Sequence, residues 1–139
     1  MLEYITIFSS ILFVSNTYRL YFTSNTVYYY SFFALTLSSI LHHALPHLMW
    51  LTYLDRFLAN NVVFQGGREF YMYVSADIKN IYSTYSVINI GAFISVLYLY
   101  LYGYFTETLC WEKSDMAYLY HAILHICTTI GHHAIISIL

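Results

Sequence analysis

The sequence predicts an all-α protein, a polytopic bundle of about five membrane-crossing helices forming a single domain over residues 1–139. Composition carries the first part of that reading. Hydrophobic residues make up 60% of the chain and charged residues 9%, against roughly 25% charged in an ordinary soluble domain. Mean hydropathy is +0.59. Patterning carries the rest, because the apolar residues fall into runs near the roughly 20 residues a bilayer requires, with short polar breaks between them.

The first run extends from about Tyr4 to Phe22 and the second from about Val27 to Leu45. Pro46 then interrupts the helical pattern before a third run that ends near Phe64. The stretch "QGGREFYMYVSADIKN" follows, and its paired glycines and mixed charges predict a loop, with Gly66 and Gly67 at a turn. A fourth run covers about Ile81 to Tyr102, "TETLCWEKSD" forms the second polar break, and the last run covers about Ala117 to Leu139. In a five-span layout Arg19, Arg68 and Lys79 share one side, which the positive-inside rule puts in the cytosol together with the carboxyl end. The amino terminus carries Glu3 in place of a basic region and has no small-residue cleavage pattern, so its apolar run is expected to be a retained anchor.

Several function classes are disfavoured by charge and cysteine usage. A net charge of −2 with five basic residues gives no basic stripe for nucleic acid and no polybasic patch for anionic lipid. Cys110 and Cys127 lie in different segments without C-x-x-C spacing, so neither a disulfide framework nor a thiolate zinc site is indicated.

All seven histidines fall in two apolar stretches, "SSILHHALPHLMW" and "LYHAILHICTTIGHHAII". Polar groups inside a membrane span are costly and usually face a cavity or a partner. His121 and His125 stand at i, i+4, one turn apart on one helical face, where two imidazoles can bind a single metal ion. His132 shares nearly that face but sits roughly 10 Å further along the axis, and His133 points elsewhere. Catalytic zinc commonly takes three protein ligands and keeps a fourth position for water, so a third histidine is expected from "SSILHHALPH". Ser38 pairs with His42 at i, i+4, and Ser39 pairs with His43 in the same way, and the sequence leaves both registers open. His47 follows Pro46 and is the weaker candidate. In the next run Asp55 is an acid among apolar neighbours, and Arg56 beside it diverges by about 100° on a helix, so Asp55 needs a different partner. A ligand histidine or a water on the metal would satisfy it.

"SSILHH", Asp55 on the following span and "HAILH" on the last resemble the pattern of the CREST superfamily of membrane hydrolases, which includes the alkaline ceramidases, the progestin-and-adipoQ receptors and the myomaker-like proteins. The family typically has seven spans, so with about five this chain would be a short, divergent member. The resemblance implies Zn²⁺ held by His42 or His43 with His121 and His125. It also implies Asp55 acting on the water at the zinc, Ser38 or Ser39 near the developing oxyanion, and a ceramide-like lipid amide as substrate. A partner membrane chain or a homo-oligomer would complete the cavity if two helices are missing. Three alternatives stand beside it: a di-iron desaturase or hydroxylase built on "HHALPH", "HAILH" and "GHH", haem ligated by two histidines, and a small structural subunit of a membrane complex.

Overall fold

The computed structural model describes residues 3–139, and every element in it is helical. α1 (Glu3–Ile11) and α2 (Phe13–Tyr21) together occupy the first predicted run, interrupted only at Leu12. Hydroxyls on either side of that break bond back to nearby carbonyls, Ser9 and Ser10 to Thr6 at 3.0 and 2.8 Å and Ser15 to Leu12 at 2.7 Å. Asn25 then caps α3 (Thr26–Ala44) by accepting from the Tyr28 N–H at 3.1 Å. Pro46 lies in the short break before α4 (Met49–Ala76).

α4 overturns the predicted loop over most of its length. The helix runs without interruption through Gly66 and Gly67 and ends only at Asp77. Packing overrides propensity here, since a helical glycine costs only about 1 kcal/mol relative to alanine. Gly66 lies where a Cβ would meet His132 Cε1 at 2.8 Å and the Tyr28 hydroxyl at 2.9 Å. It therefore marks a close approach of α4 to the other helices instead of a turn.

Ser83 caps α5 (Thr84–Val96) through the Ser86 N–H at 3.2 Å. The helix continues as a π-helical turn over Leu97–Tyr102 and a last α-turn, α6 (Gly103–Thr106). A strap of residues 107–115, containing the 3₁₀ turn Leu109–Trp111, leads to α7 (Met116–Ile136).

Phe13, Leu20, Tyr28, Phe32, Leu35, Val62, Ile135 and Ile136 form the core where α2, α3, α4 and α7 meet. Much of the remaining interior is polar. Ser10, Asn16 and Ser39 are at most 1% exposed, while Phe8, Phe57, Phe64 and Phe105 are 68–75% exposed. Hydrogen bonds tie the helices from inside: Asn16 donates to the Thr129 carbonyl at 3.1 Å, Thr17 meets Thr36 at 3.1 Å, and Asn61 donates to Ser31 at 3.0 Å. Among the described residues one continuous helical stretch, Thr84–Thr106, is long and apolar enough to cross a membrane. The other predicted runs carry polar groups, histidines in α3 and α7 and Asp55, Arg56 and two asparagines in α4, and the first run is split at Leu12 into α1 and α2.

Candidate metal centre

The end of α3 and the first turns of α7 bring three imidazoles together. His43, His121 and His125 each offer a ring nitrogen, and the three atoms lie within 4.8 Å of one another. Their ring centroids are 5.0 Å (His43–His121), 5.3 Å (His43–His125) and 4.8 Å (His121–His125) apart. Helical geometry explains the choice between the doublet residues. His42 is rotated by about 100° from His43, and its Nδ1 instead meets the Thr52 hydroxyl of α4 at 3.2 Å.

The hydrogen bonding around the rings fits a metal. His43 Nε2 is buried and has no hydrogen-bond partner among the described residues, a costly state for a polar atom unless something else coordinates it. His125 Nδ1 lies 2.8 Å from Ser9 Oγ. The Ser9 hydroxyl also reaches the Thr6 carbonyl at 3.0 Å, so with its proton directed there the serine oxygen can accept from Nδ1–H. That tautomer leaves His125 Nε2 with its lone pair free, the arrangement in which an outer hydrogen bond orients a ligand imidazole. Ser10 stands behind Ser9, at 3.4 Å from the same Nδ1. Ser10 also reaches the Thr6 carbonyl at 2.8 Å and meets the Ser39 hydroxyl at 3.0 Å.

Asp55 and the two serine candidates are distributed around this group. Ser38 donates to Asp55 Oδ1 at 2.9 Å, joining α3 to α4. Arg56, beside Asp55 in sequence, turns away and stacks over the Trp111 ring at 5.0 Å. Asp55 lines the same cavity as the three histidines, a space of about 440 Å³. Cys110 also lines it, but burial pushes its thiol up to about 12, so it stays protonated near neutral pH and offers no thiolate. Both cysteines are free.

The other histidines are engaged elsewhere. His132 is buried against Phe32 and bonds to the Tyr28 hydroxyl. His133 Nδ1 accepts from Arg19 at 2.9 Å, so its Nε2 donates to Ser15 at 2.8 Å. His47 is exposed at the break after α3.

Sequence reasoning missed Ser9, Ser10 and Thr52. The available signal was the pair of hydroxyls inside the apolar "TIFSSIL", which have little reason to be there without polar partners. No family model, curated protein or solved structure matches this chain.

Proposed function

We propose that the chain is a multi-span integral membrane protein, a short and divergent relative of the CREST hydrolases, that holds one zinc ion on His43, His121 and His125 and hydrolyses a lipid amide. The observation that carries the metal is the unpartnered His43 Nε2 facing two further histidines in a cavity that also contains a carboxylate. Three imidazoles match the ligand set of catalytic zinc. Support for the membrane comes from the inverted distribution of side chains, with hydroxyls and amides inside and large aromatics outside on α1, α4 and α6. A water-soluble monomer rarely exposes apolar surface on that scale. The span Thr84–Thr106 supplies one crossing on composition alone, and the proposal extends this to about five.

Zinc bound there would polarise a substrate carbonyl and acidify water near neutral pH. The protein's own part is positional and acid–base. Asp55 is fixed through Oδ1 by Ser38, and its second oxygen accepts and returns the proton that moves during hydrolysis. Ser9 holds the His125 ring in one tautomer. Ser39 lines the cavity and, by exchanging its bond to Ser10 for one to the substrate, donates to the developing oxyanion. The tight Tyr28–His132 and Arg19–His133 partnerships argue against the di-iron alternative, which needs about eight nitrogen ligands around one site.

The test is a single detergent preparation assayed for metal content and for hydrolysis of a short-chain ceramide and other lipid amides. One zinc per chain with turnover is the expected result. Two irons per chain, or zinc without hydrolysis of any lipid amide or ester, would overturn the reading.

A further inference from the structure

We propose that Arg56 selects substrates that carry an anionic group beside the scissile amide. The inference rests on the lipid-amide reading of the cavity and names its substrate class more narrowly. Among the described residues lining that cavity, Arg56 is the lone permanent cation. No hydrogen bond from its guanidinium to a described residue is present, and Asp55, the acid beside it, is turned toward Ser38. What holds Arg56 is the face of Trp111, at 5.0 Å. A guanidinium stacked on an aromatic face keeps all of its in-plane N–H donors, in the fork that matches a carboxylate, sulfonate or phosphate.

The strap that supplies Trp111 is built at some cost. Glu107 and Leu109 both adopt left-handed backbone, with φ of 53° and 56°, although neither is glycine. The strap folds back so closely that a Cβ on Gly103 would meet the Thr108 carbonyl oxygen at 2.7 Å and Leu109 Cβ at 3.3 Å. Trp111 Nε1 donates to the Tyr100 carbonyl at 2.9 Å, within the π-helical turn, and its ring packs against Tyr100 and Tyr104 at 5.2 and 5.0 Å. Strain of this kind persists only where surrounding contacts hold it. Its product here is a fixed indole at the cavity rim with a cation laid on it.

The experiment compares two ligands of matched length, N-oleoylglycine and N-oleoylethanolamine, which share chain and amide and differ in the carboxylate. Each is titrated against zinc-loaded protein in zwitterionic nanodiscs, with zinc content read on every preparation. The wild type should bind the anionic ligand on the order of tenfold more tightly, as one charge-assisted contact provides. R56Q should lose that preference, with the loss falling on the anionic ligand, and R56K should keep part of it. Equal wild-type affinities, or a preference that survives in R56Q because the carboxylate binds the metal, would overturn the assignment to Arg56 while leaving the lipid-amide reading intact. Failure of either ligand to bind zinc-loaded wild type would overturn both.

Discussion

Ser9→Ala tests the metal centre through a residue 116 positions away from the ligand it serves. The substitution removes one hydroxyl from the back of His125 and leaves all three imidazoles in place. Its bond to Nδ1 is 2.8 Å long, whereas Ser10 stands at 3.4 Å, near the limit of a useful contact. A typical net value for such a bond is about 1 kcal/mol, and the ring becomes a better donor once its other nitrogen is coordinated, so about 1.5 kcal/mol is the working figure. That corresponds to roughly tenfold weaker zinc binding. Competition with a chromophoric chelator in one detergent measures it directly. Ser10→Ala should cost less, and the double variant should exceed Ser9→Ala only slightly. If Ser9→Ala and the double variant both bind zinc within about twofold of wild type, His125 is not oriented from behind in this way and the tautomer argument fails.

His43→Ala, His121→Ala and His125→Ala should each abolish stoichiometric zinc in elemental analysis, while His42→Ala and His133→Ala should retain it, because those two rings bond to Thr52, Ser15 and Arg19 instead. Asp55→Asn should leave zinc occupancy largely intact and lower turnover by about 10²-fold or more in the same preparation. Undiminished turnover with full zinc removes Asp55 from the mechanism. Gly66→Ala places a methyl within 3.0 Å of both His132 and Tyr28, so it should destabilise the fold by about 1–3 kcal/mol in a denaturation assay, with zinc affinity little changed in the protein that remains folded.

Local features of the fold were legible in the sequence because they are properties of neighbouring residues. The all-helical class follows from long apolar runs, the break at Pro46 from proline's missing N–H, and the one-turn spacing of His121 and His125 from the helical repeat. The continuation of α4 through Gly66 was not legible, since it depends on Tyr28 and His132 arriving from two other helices to fill the notch above the glycine. The choice between His42 and His43 was hidden for a related reason. Either register satisfies the i, i+4 rule with a serine, and only the rotation of α3 against α4 and α7 decides which ring meets His121. The hydroxyls of α1 behind His125 belong to the same class, being contacts whose partners lie more than 100 residues apart.

The length of α4 sets how deep the chemistry would lie. Its 28 residues make a rod of about 42 Å, some 12 Å longer than the roughly 30 Å hydrocarbon layer of a bilayer. Asp55 comes six residues after Met49 and His121 five after Met116, about 8–9 Å in from helix starts, and His43 is one residue from the end of α3. On the proposed membrane reading the scissile bond would then rest about 8–9 Å inside the hydrocarbon of one leaflet, short of the midplane at about 15 Å. A substrate could keep its head in the headgroup layer and its chain among the lipid tails throughout turnover. The hydrolysed head would be released to the aqueous phase on that side only, and the surplus length of α4 would project from the opposite face.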